Sequence, residues 1–134
     1  MSLIKLIDLP FLWDERGSLV AIESTNTIPF EIKRVYYLFG IEQGVSRGFH
    51  AHKNLQQLAV CIAGKCRMLL DDGKKKESVW LDSPKYGLII GSHVWREMHD
   101  FSKDCVLLVL ASQLYDESDY IRDYQKFLLG TNEV

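Results

Sequence analysis

Apolar and polar positions alternate along most of this chain in short runs separated by turn residues. Alternation at a period of two marks strands with one buried face. It predicts strands near Ile4–Asp8, Ser18–Glu23, Lys33–Phe39, Ser46–His52, Leu55–Ala63, Cys66–Asp71, Glu77–Leu81, Gly87–Ile90, Val94–Phe101 and Val106–Ala111. Glu15-Arg16-Gly17, the stretch from Ile41 to Gly44, Ala63-Gly64-Lys65 and Asp72-Gly73 carry turn chemistry. Strands at this spacing predict an all-β sandwich or barrel. Helical periodicity occurs only at the end of the chain. There Asp119 is a candidate cap, Tyr120, Ile121, Tyr124, Phe127 and Leu128 recur at helical spacing, and Gly130 is a stop. Nothing reads as a linker, repeat or low-complexity tract, so residues 1–134 are expected to form one domain.

Composition narrows the function classes. Hydrophobic residues make up 47% and charged residues 25% of the 134, an ordinary globular balance. A net charge of −2 gives no global footprint for nucleic acid or an anionic membrane. Lys74-Lys75-Lys76 follows Asp71-Asp72-Gly73 and reads as a solvated hairpin turn. The N-terminus lacks a basic, then apolar, secretory signal, and no apolar run approaches a membrane span. The cysteines Cys61, Cys66 and Cys105 have no zinc-type pair spacing. Cys61 and Cys105 fall in apolar runs and read as inert core residues. An odd count without a signal suits a reducing cytoplasm.

The chemistry concentrates in Arg47-Gly48-Phe49-His50-Ala51-His52. On a strand the two histidines of a His-x-His pair share one face. Two adjacent imidazoles can hold a metal, or they can move protons near neutral pH. In the cupin fold's first motif such a pair is followed by an acid, six further residues and a glycine. Here Gln57 stands at the acid's position, and Leu58 to Ala63 separate it from Gly64. The spacing resembles that motif. The second cupin motif supplies a final histidine ligand, and in Gly91-Ser92-His93-Val94-Trp95-Arg96 its place is taken by Arg96. A guanidinium keeps its proton and repels a divalent ion, and neutral Gln57 offers no charge to offset one. A catalytic metal wants three or more protein ligands, so a metal-free pocket is expected. His93 and His99 read as surface or structural histidines, His99 facing away from Arg96.

A metal-free histidine pair flanked by cations suits proton transfer on an anionic substrate. Arg47 and Arg96 can grip phosphate through bidentate hydrogen bonds. Removal of a proton beside a ketone leaves an enediolate that needs donors such as a tyrosine hydroxyl or arginine. Tyr36 and Tyr37 lie on a neighbouring strand, and alternation lets only one face the pocket. Tyr37 is the catalytic candidate and Tyr36 a substrate contact, with the facing left open by the sequence.

Several stretches together resemble the nucleotide-sugar 3,4-ketoisomerases. They are Lys33-Arg34-Val35-Tyr36-Tyr37, the run from Arg47 to Lys53, Leu70-Asp71-Asp72-Gly73, Val94-Trp95, Glu97-Met98-His99-Asp100-Phe101, and the tail from Asp116 to Arg122. The likeness extends from about Ile7 to Phe127. It implies a metal-free, cupin-type β-barrel (a jelly roll) with a short C-terminal helix, paired as a homodimer and working without a cofactor. Such enzymes convert dTDP-4-keto-6-deoxy-glucose to its 3-keto isomer on routes to the amino sugars of surface glycans. It implies His50 and His52 as the catalytic pair, Arg47 on the diphosphate, and Arg16 and Arg96 at the sugar end. Arg34 and Gln57 complete the candidate substrate-binding set. A nucleotide-sugar 3,5-epimerase would use the same fold, but His50 has no evident acid partner in the sequence. A non-catalytic nucleotide-sugar-binding cupin would have no need of two titratable groups at the reacting centre.

Overall fold

The computed structural model describes residues 2–132. It contains β1 (Lys5–Asp8), β2 (Phe11–Asp14), β3 (Gly17–Val20), β4 (Arg34–Leu38), β5 (Arg47–His52), β6 (Gln57–Ala63), β7 (Cys66–Asp71), β8 (Lys76–Leu81), β9 (Tyr86–Ile90), β10 (Trp95–His99), β11 (Val106–Ala111), β12 (Tyr120–Ile121) and α1 (Tyr124–Asn132). Two five-stranded antiparallel sheets face each other. Their orders are β1-β9-β6-β11-β4 and β12-β5-β10-β7-β8, and β2-β3 forms a separate hairpin. This is a jelly roll of the cupin type, all-β with one short C-terminal helix. The sheets do not close into a continuous hydrogen-bonded barrel.

The apolar run of β6 is buried on both faces. Ala59 and Cys61 join the core between the sheets, with Met68, Leu70, Leu88, Leu107 and Val109. Leu58 and Val60 point the other way and pack with Leu9, Ile28, Phe30 and Leu110. A strand covered on both sides loses polar alternation, which is why this stretch reads as continuously apolar. A third cluster seats Phe127 of α1 against Trp95 and Ala51 on the outside of the second sheet.

Two elements differ from the sequence expectation. Phe11–Asp14 is a strand, pairing Leu12 with Leu19 and Trp13 with Ser18 across the Glu15-Arg16 turn. Its side chains are largely exposed, so no alternation betrays it. At the other end the helix begins at Tyr124, capped by Asp123, whose carboxylate accepts from the backbone of Gln125 and Lys126. Helical spacing from Tyr120 misleads, because Tyr120 and Ile121 instead pair with His52 and Ala51 as an edge strand. The helix also runs through Gly130 to Asn132. No helix among the described residues is long and apolar enough to cross a membrane.

Candidate active site

The site lies where the edge of one sheet, β4, opens toward the edge of the other, β5 and β12. A β-bulge in β5 sets its geometry. Arg96 pairs with His50 but Glu97 pairs with Gly48, so Phe49 is an extra residue opposite β10. Gly48 and Phe49 both take positive φ, +91° and +61°. A Cβ on Gly48 would lie 3.0 Å from the Arg96 carbonyl oxygen, which limits this position to glycine. The bulge resets alternation. Without it Arg47 and His50 would face opposite sides; with it both line one cavity of about 720 Å³. Phe49 turns out instead and packs edge-on against His99.

His50 lines this cavity, and His52 stands behind it, wholly buried. Their rings lie 5.0 Å apart and perpendicular. Tyr120 covers both, at 5.0 Å from His50 and 4.3 Å from His52. His52 Nδ1 is 3.1 Å from the Asp119 carboxylate, which also accepts from the backbone N–H groups of Asn54 and Leu55. An acid partner for the histidine pair therefore exists. It belongs to His52, and it comes from the residue the sequence pattern suggested as a helix cap. A carboxylate on Nδ1 fixes the tautomer and leaves Nε2 to act as acceptor. His52 Nε2 and His50 Nδ1 have no hydrogen-bond partner among the described residues.

Burial, then the charge of Arg96, holds His50 down to about 4. Burial, Arg96 and His50 together hold His52 down to about 3, against the opposing pull of Asp119. Both imidazoles are thus neutral at pH 7, the form that can accept a proton.

Arg96 does not line the cavity. It is fully buried, donates to Gln57 Oε1 and, at 3.0 Å, to the Val94 carbonyl. Burial lowers it to about 10, so it remains a cation. Gln57 in turn donates 2.8 Å to the Tyr36 hydroxyl. An arginine can only donate, so the Gln57 amide orientation is dictated. Tyr36, its own ionisation raised by burial, keeps its O–H proton free for an oxygen in the cavity. Arg96 and Gln57, expected at the substrate, lie buried beneath the cavity floor, with both ends of the Gln57 amide bonded within the protein. Among the described residues the two histidines and the Asp119 carboxylate do not bring three ligand atoms within 4.8 Å of one another.

On β4 the residues Arg34, Tyr36 and Leu38 turn inward. Tyr37 stands on the other face, 61% exposed and packed on Phe39 at the cavity rim. The inward tyrosine is Tyr36, and Tyr37, expected as the catalytic one, meets the cavity only at its rim. Arg34 lies over Tyr36 and Tyr115, and its Nε and Nη2 are buried without partners. Arg47 lines the same cavity, and among the described residues neither arginine has an acidic partner. Arg122, also lining it, is held by two bonds to Glu117 and lies 4.2 Å over Tyr120. Arg16 is elsewhere. It sits 86% exposed in the β2-β3 turn, paired with Asp14 at 2.7 Å. It is not among the described residues that line the cavity, and it lines a separate surface depression with Leu12 and Trp13.

His93 is a surface residue at φ +58°, its backbone N–H bonded to the His52 carbonyl. His99 faces away from Arg96, between Ser46 and Glu97. Sequence reasoning gave no role to Asp119 as an acid, or to Tyr115, Tyr120 and Arg122. The signal available was the tail's likeness to the isomerases, since pairing of β12 with β5 is not visible in spacing.

The arrangement is a neutral, carboxylate-backed imidazole pair beside a hydroxyl donor, approached through two unpaired guanidinium groups. It can shuttle a proton on a substrate that carries an anionic group.

Comparison with known proteins agrees. Residues 2–132 match the family described as FdtA: WxcM-like, C-terminal. The chain is 57% identical over 123 residues to a TDP-4-oxo-6-deoxy-alpha-D-glucose-3,4-oxoisomerase of Aneurinibacillus thermoaerophilus, covering 92% of this chain and 88% of that one. A mutant of the 3,4-ketoisomerase QdtA from Thermoanaerobacterium thermosaccharolyticum, solved with TDP-4-keto-6-deoxyglucose, superposes with a TM-score of 0.95. It is 42% identical, over 97% of this chain and 94% of that one. A 3,4-ketoisomerase from Helicobacter canadensis gives 0.95 at 45% identity, over 98% and 99%.

Proposed function

This chain belongs to the FdtA (WxcM-like, C-terminal) family, and on that premise we propose that its cavity isomerises TDP-4-keto-6-deoxy-glucose to the 3-keto sugar. The protein is a sugar 3,4-ketoisomerase. The reaction is an internal redox exchange: C3 is oxidised as C4 is reduced, and no external oxidant is required. One proton leaves C3, an enediolate spans C3 and C4, and a proton returns at C4 while the O3 proton passes to O4. The observation that carries this reading is the His50–His52 pair, neutral, adjacent and open to the cavity only through His50.

His50 is the group that touches carbon, taking the proton from C3; its place in the cavity lining supports this over wholly buried His52. Proton removal makes His50 a cation beside an anionic enediolate, an attraction that offsets its low basicity. His52, with Asp119 on its far nitrogen, stabilises that positive charge and is the second proton carrier. Tyr36 donates to the enediolate oxygen. Arg34 and Arg47 bind the diphosphate, their free donors matching its oxygens.

The exposed apolar hairpin supports a homodimer. Leu12 and Trp13 are 75% and 73% exposed, a costly surface for an isolated chain. Three free cysteines suit a reducing cytoplasm.

The test is proton NMR of TDP-4-keto-6-deoxy-glucose with chelator-treated protein in deuterium oxide. A 3-keto product carrying deuterium at C4 is expected, and its couplings report the configuration there. Exchange or inversion at C5 would make the enzyme an epimerase. Binding without change would make it a carrier of the sugar.

A further inference from the structure

The fold gathers three cysteines that have no part in the isomerase site. Cys61 lies on β6, Cys66 opens β7, and Cys105 immediately precedes β11. All three are buried, and their sulfurs lie within 4.8 Å of one another, with Cys61 and Cys105 3.6 Å apart. β6 carries Gln57 at its active-site end and Cys61 four residues further on, so the cluster occupies the opposite end of the core. Among the described residues it is the one group of three side chains able to share a metal ion. We propose that Cys61, Cys66 and Cys105 form a binding site for a thiophilic divalent d¹⁰ metal ion of the Zn²⁺ class, separate from the cavity in which the sugar reacts.

The sulfur spacing suits this chemistry. Thiolates at ~2.3 Å from a tetrahedral ion stand roughly 3.8 Å from one another. The Cys61–Cys105 separation is already close to that value, and all three sulfurs lie within 4.8 Å of one another. A disulfide is a poorer fit, because bonded sulfurs stand ~2.0 Å apart and the third thiol would be left over.

Binding is balanced as one M²⁺ plus three thiols giving M(SR)₃⁻ and three released protons, with no oxidant or reductant.

The cluster lies beside the single turn Ala63-Gly64-Lys65, whose outer residues are exposed. That turn is fastened by Lys65 N–H to Ser102 Oγ and Ser102 N–H to the Lys65 carbonyl, both at 2.9 Å. Gly64, at φ +67°, is packed so closely on Ser102 Oγ and on Asp104 that a Cβ would not fit. A metal beneath would tie β6, β7 and β11 together.

The experiment is titration of the reduced, chelator-treated full-length protein with Cd²⁺ alone, without oxygen, followed by thiolate-to-metal absorption in the ultraviolet and by ¹¹³Cd NMR. The expected result is a band that saturates at one Cd²⁺ per chain, a resonance in the sulfur-rich range, and affinity at least tenfold weaker in both Cys66→Ser and Cys105→Ser. No band at one equivalent in the unmodified protein would overturn the proposal, whether or not the variants fold. So would a band unchanged in two folded variants, since Cd²⁺ would then sit elsewhere.

Discussion

The Asp119 carboxylate and the His52 Nδ1 nitrogen meet at 3.1 Å, both buried, across 67 residues of chain. Asp119 thereby fixes the His52 tautomer, and it acts on the substrate only through that ring. Asp119→Asn keeps an acceptor for one of the Asn54 and Leu55 amides, which bond to different carboxylate oxygens, and removes the charge that steadies an imidazolium. We expect kcat to fall about 10- to 100-fold, KM to change little, and the acid limb of the pH–rate profile to move down. Steady-state kinetics across pH check this. Equal losses in Asp119→Asn and Asp119→Glu with an unmoved profile would mean a purely structural role.

Replacing His50 removes the group proposed to take the proton from carbon 3. His50→Asn should retain the fold, judged by circular dichroism, and lose about 10²–10⁴-fold in rate. An unchanged rate of deuterium incorporation at C4 would sink the assignment.

Arg34 brings two buried, unpartnered guanidinium donors to the cavity. Charge-assisted bonds to a diphosphate contribute about 1.5–3 kcal/mol. Arg34→Ala is therefore expected to weaken TDP binding by about 10- to 100-fold in calorimetry. The fall should appear mainly in KM.

Arg96 depresses both histidines by its charge, second only to burial. Arg96→Met should raise both histidine titrations toward ~6.5, visible by NMR of the ring protons. Global stability should change less than removal of a paired charge would suggest, because Met fills the space without leaving an ion unpaired. Titrations that stay put would mean burial alone sets them.

The lowered histidines also set the pH dependence of folding. Their folded values, about 4 and about 3, lie below the ordinary value of 6.5. As pH falls below ~6.5 the unfolded chain takes up protons that the folded chain does not, so stability is lost on acidification. The loss should run down to about pH 4 for His50 and about 3 for His52, at up to ~1.4 kcal/mol per pH unit for each. Urea midpoints that stay flat between pH 7 and 4 would contradict it.

The period-two pattern of the sequence determined that this chain is an all-β sandwich or barrel, and the resemblance of its motifs narrowed that to a cupin-type jelly roll. Alternation put His50 and His52 on one face, and Gln57 and Arg96 at two cupin ligand positions gave the expectation of a metal-free pocket, since these are local consequences of spacing and side-chain chemistry. Only the tertiary structure decided which distant groups serve that face. Arg47 joins His50 because one bulged residue, Phe49, resets the alternation, and no count along the sequence predicts a bulge. Tyr36 rather than Tyr37 turns inward because β4 pairs with β11 in one register, Tyr36 opposite Val109. Asp119 and Tyr120 reach the histidines because two residues of the tail add an edge strand to β5, where periodicity alone suggested a helix. Arg96 and Gln57 consume each other's hydrogen bonds under the floor, a satisfaction that depends on packing in three dimensions. The three cysteines, with no motif spacing between them, meet because β6, β7 and β11 end together at one edge of the core.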